Sequence, residues 1–150
     1  MIGLLQRVSR AGVAVNGEII AEIARGLLVL IGVERTDRPA EAARLAERLL
    51  GYRVFPDEAG RMNLSVRDVG GSVLLVPQFT LAADTSSGHR PGFSRAAEPG
   101  PGEALFNRLV EEIRASGVPY AVGRFGANMQ VTLTNDGPVT FWLHAGQRVE

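Results

Sequence analysis

A Gly-Pro pair between two strand-forming runs is the feature that most restricts how this 150-residue chain folds. The pair lies in the run Asn135-Asp136-Gly137-Pro138-Val139-Thr140. Pro138 fixes its own φ and has no backbone N–H, so a regular strand cannot pass through it with every ladder hydrogen bond in place. Asn, Asp and Gly all favour turns. The local sequence therefore predicts a hairpin that joins residues 129–134 to residues 139–143, and the alternative is a kink that presents bare backbone carbonyls.

Composition excludes several classes of function. Acidic and basic side chains number sixteen each, so net charge gives no support for a broad electrostatic grip on a nucleic-acid backbone. The chain has no cysteine, which rules out disulfides, thiolate nucleophiles and cysteine-ligated zinc. No signal-like N-terminus is present, and no apolar run approaches the roughly 20 residues that span a bilayer. We expect one soluble, cytoplasmic domain over residues 1–150, with no membrane partner.

The N-terminal segment reads as consecutive strands. Residues 2–8 are largely apolar, and Asn16-Gly17 separates two further strand-like segments, which predicts a type I′ hairpin. Residues 26–33 are apolar without alternation. This pattern suits a strand that is buried on both faces, so we expect it at the centre of the sheet.

Two segments have helical periodicity. The first runs from Asp37, the expected N-cap, through Pro39 in the first turn to Leu50, and it stops at Gly51. The second covers about residues 103–115. The expected buried faces are Ala42, Leu45, Ala46, Leu49 and Leu50 in the first helix, and Leu105, Phe106, Leu109, Val110 and Ile113 in the second.

The other segments complete a mixed α/β domain. Strands are expected at 52–55, 73–76, 118–122 and 128–133, with a turn at 56–60, an irregular piece at 61–66 and a long functional loop at 82–102. The sequence thus predicts a single compact domain of mixed, largely antiparallel β-sheet packed with two main helices. It contains neither the dinucleotide-binding glycine fingerprint nor a P-loop.

Candidate chemistry begins where Pro77 ends a strand. Gln78 and the amides of Phe79 and Thr80 follow it, and free N–H groups there would stabilise an oxyanion, although a plain solvated strand end is the alternative. A Thr80 nucleophile needs an activating base. His89, in the long loop, is the candidate base, and with Thr80 it would form the site of a small-ester hydrolase.

Two motifs together resemble a known family. The run Pro77-Gln78-Phe79-Thr80-Leu81 and the run at 135–140 resemble the paired SQFTL and NxGPVT signatures of D-aminoacyl-tRNA deacylases. The resemblance extends over nearly the whole chain. It also includes Gln6-Arg7-Val8, Gly26-Leu27-Leu28-Val29, Phe55, Met62-Asn63, Gly88, Arg90-Pro91, Phe93, Gly123, Phe125-Gly126-Ala127 and Met129.

The resemblance implies an activity and an assembly. Members of this family hydrolyse the ester that joins a D-amino acid to the 3′-terminal adenosine of tRNA, and they also remove mischarged glycine. The family works as a homodimer without metal or cofactor. By resemblance, the Gly137-Pro138 bond is cis and the pair reaches into the partner's pocket. Backbone carbonyls placed there would clash with an L side chain and admit a D side chain or glycine.

Further roles carry over to matching positions. Gln78, Phe79 and Thr80 are expected to line the pocket as the catalytic segment, Arg7 to support it, and Met129 to pack near the partner's Gly-Pro pair. No side chain is an evident base, so the resemblance implies hydrolysis assisted by the adenosine 2′-hydroxyl, with backbone amides stabilising the oxyanion.

The sequence departs from the family pattern at two positions. Pro77 stands where serine is usual. Gly92 stands at the serine position of the run Arg-Pro-Ser-Phe that is common in the family. Pro77 removes a hydroxyl beside the pocket and fixes the entry to Gln78, so relaxed chirality is an open alternative. A related animal branch that corrects certain L-aminoacyl errors also has Pro-Gln here. A non-catalytic RNA-binding or dimerisation module is the remaining alternative.

Overall fold

A fourteen-residue first strand, β1, organises the sheet. The computed structural model describes residues 1–146. In chain order the elements are β1 (Ile2–Val15), β2 (Glu18–Ile23), β3 (Gly26–Gly32), α1 (Pro39–Gly51), β4 (Phe55–Pro56), β5 (Met62–Leu64), β6 (Ser72–Pro77), α2 (Pro99–Ala115), β7 (Tyr120–Val122) and β8 (Gln130–His144).

Both edges of β1 are used, and every strand that pairs with it is antiparallel. Its residues 2–8 pair with β3 and residues 11–15 with β2, while β8 pairs with nearly its full length. β3 pairs with β6, and β6 with β7, in parallel. β4 and β5 form a separate antiparallel pair. The expected mixed, largely antiparallel sheet packed with two helices is confirmed.

The predicted N-terminal hairpin and central strand are also confirmed. Asn16 and Gly17 both have positive φ, 51° and 79°, as a type I′ turn requires. β3 lies between β1 and β6, and all but one of its residues are buried. Its alternation divides the interior, because Leu27, Val29 and Ile31 face the helices whereas Leu28 belongs to a second cluster on the other side of the sheet.

Both helices pack against the face of the sheet that carries Leu27, Val29 and Ile31. The residues expected to be buried on α1 are buried. On α2 the buried residues include Phe106, Leu109 and Ile113, with Leu105 and Val110 partly buried beside them. Neither helix among residues 1–146 is long and apolar enough to cross a membrane.

The starts of both helices differ from the sequence predictions. The N-cap of α1 is Arg38, because the Asp37 carboxylate instead receives the Met1 ammonium at 2.6 Å and the Glu34 amide at 2.7 Å. Burial is the main cause that raises the pKa of Asp37. α2 begins at Pro99 rather than near residue 103. Prolines fit there because the first N–H groups of a helix have no intrahelical acceptor.

Two strand predictions were wrong. The expected strand at 52–55 is reduced to Phe55–Pro56, which pairs with Met62–Leu64 inside the segment predicted to be irregular. The predicted hairpin at Gly137-Pro138 does not form either, since β8 continues through the pair. The neighbour β1 supplies partners on both sides of the pair, and this long-range pairing overrides the local turn signal.

Candidate functional site

β6 ends at Pro77, and the chain turns at once into the 3₁₀ turn Phe79–Ala82. The Gln78 amide donates to a β3 carbonyl at 2.7 Å. Within residues 1–146, the amides of Phe79 and Thr80 have no hydrogen-bond acceptor. The first N–H groups of a helical turn lack partners inside it. Two adjacent donors are therefore available for an oxygen that gains negative charge.

The side chain of Thr80 is already engaged. Its hydroxyl accepts a hydrogen bond from the Gln78 side-chain amide. His89 is exposed in the long loop, and no described hydrogen bond joins it to Thr80. The structure thus does not form the nucleophile–base pair that a Thr80/His89 hydrolase needs.

An apolar cleft of about 660 Å³ opens beside the turn. This volume lies within the range of roughly 300–1,000 Å³ that is usual for small-ligand sites. Of the residues expected at the site, Pro77, Gln78, Phe79 and Met129 line it, whereas Thr80 does not. The other lining residues are Val76, Phe93, Ala96, Ala97, Glu98, Pro99, Phe125, Gly126, Ala127, Asn128 and Val131.

Two exposed aromatic rings lie together in the lining of the cleft. Phe79 is 61% exposed and Phe93 is 44% exposed, and their ring centroids lie 5.3 Å apart. Phe93 directly follows a loop, residues 84–92, that is closed by paired backbone hydrogen bonds between Asp84 and Gly92. Hydrogen bonds from Ser86 lower the pKa of Asp84, the side-chain contribution being largest. The Asp84 carboxylate thus holds the start of this loop.

Met129 is fixed by close packing with β6 and the segment after β7. Its sulfur accepts a hydrogen bond from the Arg124 amide at 3.4 Å. A Cβ on Gly123 would lie only 2.9 Å from that sulfur and 3.4 Å from Pro77 Cδ. Gly123 therefore allows Met129 and Pro77 to meet at the wall of the cleft.

The Gly-Pro pair forms a bulge on β8. Gln6 pairs with Thr140 and Val8 pairs with Asn135, so a single β1 residue lies opposite residues 136–139. The Gly137-Pro138 peptide is cis, and both residues are exposed. The bulge therefore projects from the sheet while the strand continues on either side.

Asn135 and Arg7 hold this bulge. The Asn135 side-chain oxygen accepts from the Val139 amide at 2.7 Å, and its amide nitrogen donates to the Val139 carbonyl at 3.2 Å. Arg7 donates to the Asp136 carbonyl at 2.8 Å and to the Val54 carbonyl at 2.7 Å. Side chains thus replace the ladder bonds that the bulge interrupts.

Within one chain the two motifs form separate surfaces. Gly137, Pro138 and Arg7 are absent from the residues that line the cleft. Among residues 1–146, no group of three or more His, Asp or Glu side chains is placed to hold a metal ion. The cleft therefore presents apolar walls and backbone amides rather than a cluster of ionisable groups.

Sequence reasoning missed Gly32 at the end of β3. A Cβ there would lie 2.8 Å from Leu81 Cβ and 3.4 Å from the Gln78 carbonyl. Gly32 therefore lets the turn that carries the free amides pack directly on the strand. A glycine within a strand-like run often marks such a close approach, and this signal was present in the sequence.

Comparisons with known proteins place the chain in a family. The model of the D-Tyr-tRNA(Tyr) deacylase family matches residues 4–144. The D-aminoacyl-tRNA deacylase of Alkalilimnicola ehrlichii is 65% identical and covers 97% of each chain. That of Thioalkalivibrio sulfidiphilus is 63% identical and covers 95% of this chain and 96% of its own.

A solved structure is similar in both fold and sequence. The c-Myc DNA unwinding element binding protein is 38% identical and superposes with a TM-score of 0.93, over 98% of this chain and 100% of its own. By its family match and its identity to these relatives, the chain belongs to the D-Tyr-tRNA(Tyr) deacylase family.

Proposed function

We propose that residues 1–150 form one domain that hydrolyses the ester between a D-amino acid and the 3′-terminal adenosine of tRNA. Family membership and the names of the relatives support this reaction. The observation that carries it is the pair of amides, of Phe79 and Thr80, which have no hydrogen-bond acceptor among residues 1–146 and lie beside an apolar cleft. Tetrahedral intermediates of acyl transfer need donors of this kind.

The reaction proceeds by addition of water. Water attacks the ester carbonyl carbon, and the carbonyl oxygen gains negative charge and accepts hydrogen bonds from the Phe79 and Thr80 amides. The bond from carbon to the ribose 3′-oxygen then breaks, and a proton originating from the water ends on that oxygen. The products are the free amino acid and tRNA with a free 3′-hydroxyl.

The substrate supplies the proton relay. The Thr80 hydroxyl oxygen accepts a hydrogen bond from the Gln78 side chain, and His89 is not among the described residues that line the cleft. The 2′-hydroxyl of the terminal adenosine lies next to the reacting ester and passes the proton, which gains from its fixed proximity. No metal or cofactor takes part in the proposed reaction, and the proposed location is the cytoplasm.

Chirality is set across a homodimer. The exposed Gly137-Pro138 bulge enters the partner's cleft, near Met129, and Arg7 supports it from its own chain. Its carbonyls meet an L side chain, whereas a D side chain points away from them. Glycine has no side chain and is therefore also hydrolysed.

A second candidate function is a deacylase with relaxed chirality. Pro77 lines the cleft and packs near Gly123 and Met129, at the wall that the partner's bulge would face. This ring in place of a hydroxyl is the specific observation that favours a deacylase with relaxed chirality.

A deacylation assay tests these proposals. Release of D-Tyr, Gly, L-Tyr and L-Ala from their tRNAs is measured with the parent and with Thr80→Ala and His89→Ala. We expect rapid release of D-Tyr and Gly, little of L-Tyr, and activity in both variants. Comparable turnover of L-Ala and D-Tyr establishes relaxed chirality.

Two further outcomes support other functions. Loss of activity in both variants would favour the side-chain hydrolase. Binding of tRNA without release of any amino acid would indicate a non-catalytic module.

A further inference from the structure

Glu98 is the only residue with a charged side chain among the described residues that line the cleft. It is exposed and stands at the N-cap of α2, yet its side chain makes no capping hydrogen bond there. No ion pair or hydrogen bond of its carboxylate is found within residues 1–146. The Glu98 carboxylate is therefore not used to cap α2, and it is the one charged group at this otherwise neutral site.

A free carboxylate is unfavourable beside a polyanionic substrate unless it has a partner. Phosphate groups that approach the cleft are repelled by Glu98, so the residue weakens binding in the absence of a compensating contact. Under the proposed function the substrate brings nitrogen donors of two kinds. One is the α-ammonium of the aminoacyl group, and the other is the exocyclic amine of the terminal adenine.

We propose that the Glu98 carboxylate binds a nitrogen donor of the substrate and so determines specificity. Hydrogen bonds to an ionised carboxylate are about twice as strong as those between neutral groups, whether the donor is the α-ammonium or the adenine amine. The surrounding apolar walls, which include Phe93 and Phe125, reduce competition from water. This inference rests on the proposed function and extends it to recognition of the amine.

The test compares Glu98→Gln with the parent on matched substrates. Gln keeps the size of the side chain and removes its charge, so kcat/KM for D-Tyr-tRNA should fall by about tenfold, mainly through KM. Binding of a non-hydrolysable amide analogue of D-tyrosyl-adenosine should weaken by a similar factor. Glu103→Gln, an exposed glutamate on the same helix outside the cleft, should match the parent.

Two modified substrates identify the nitrogen. If Glu98 holds the α-ammonium, N-acetyl-D-Tyr-tRNA removes the difference between parent and variant. If it holds the adenine amine, tRNA that ends in purine riboside removes the difference. Either result supports the proposal, and an equal loss on all three substrates overturns it because it reflects structure alone.

The remaining outcomes separate this inference from the proposed function. An active parent with an unchanged Glu98→Gln variant overturns the amine contact and leaves the deacylase intact. A parent that releases no amino acid overturns the proposed function and the contact with it. The Glu98 side chain is exposed, so thermal unfolding of Glu98→Gln should match that of the parent. A change in kcat/KM is then not a folding effect.

Discussion

At the scale of single residues, glycines set the geometry of the cleft. Gly32 and Gly123 have no side chain that could take part in a reaction, but each allows a close approach that a Cβ would prevent. The sequence motif pointed to Gln78, Phe79 and Thr80, which remain the proposed catalytic segment. It did not reveal the distance between β3 and the turn, because that distance depends on strands that pair only after folding.

Gly32→Ala should impair catalysis without unfolding the protein. The new Cβ would lie 2.8 Å from Leu81 Cβ, which is attached to the backbone and cannot rotate away. The turn must shift, and the amides of Phe79 and Thr80 shift with it. Misplacement of about 1 Å costs roughly 10²-fold in rate, so we expect kcat to fall by about that factor.

Single-turnover deacylation of D-Tyr-tRNA measures this effect. Gly51→Ala is the matched control, because nothing lies within 4 Å of its added Cβ. Parental kcat in Gly32→Ala, with intact folding by circular dichroism, would contradict the assigned role of the packing.

At the scale of elements, the helices were easier to predict than β8. Helix α1 is amphipathic, so its buried face follows from local spacing alone. β8 passes through Gly137-Pro138 because β1 pairs with it on both sides and Asn135 bridges the bulge. Such non-local bonds outweigh the local turn signal, and the sequence does not display them.

Asn135→Ala should loosen the bulge. It removes the acceptor of the Val139 amide and the donor to the Val139 carbonyl, and Val139 is buried. A buried polar group without a partner costs about 1–3 kcal/mol, so the free energy of unfolding should fall by that amount. Selectivity for D-Tyr over L-Tyr should also decline. Denaturant unfolding and paired deacylation assays measure both, and unchanged values in both would exclude the bridging role.

The loop 84–92, which directly precedes Phe93, should respond to acid through Asp84. Hydrogen bonds from Ser86 lower the pKa of Asp84 below the ordinary aspartate value of 3.8. Its charged form thus stabilises the fold above that value, and the contribution disappears as the pH falls through the lowered pKa. Asp84→Ala should lower the unfolding temperature near neutral pH, and the difference from the parent should shrink in acid.

Thermal unfolding across this pH range tests the prediction. Ser86→Ala is the companion variant, because it should move the pKa of Asp84 back towards 3.8, as measured by carboxyl NMR titration. A difference between Asp84→Ala and the parent that is the same at every pH would show that the charge has no part in it.

At the scale of the whole molecule, the two sequence motifs lie on separate surfaces of one chain. Gly137 and Pro138 are exposed and do not line the cleft that contains Gln78 and Phe79. A single sequence has no pattern that distinguishes contacts within a chain from contacts between chains. The resemblance to the family was therefore the only source for the dimer, and mixed dimers provide the direct test.

Gly137→Ala should lose selectivity as a homodimer, since the residue has φ 149° and its Cβ would lie 2.6 Å from Val139 Cγ2. Exchange with a large excess of Gly32→Ala protein places each Gly137→Ala chain beside an intact bulge. Its own cleft is then the only competent one in the dimer. Under the proposed arrangement, the parental ratio of D-Tyr to L-Tyr release returns.

The control excess is the double variant Gly32→Ala/Gly137→Ala, which supplies neither a competent cleft nor an intact bulge. It should leave the ratio as low as in Gly137→Ala alone. If the bulge instead acts on the cleft of its own chain, neither mixture restores selectivity, because the active cleft and the altered bulge remain on one polypeptide. Restoration by the first mixture alone therefore assigns the chiral contact to the partner subunit.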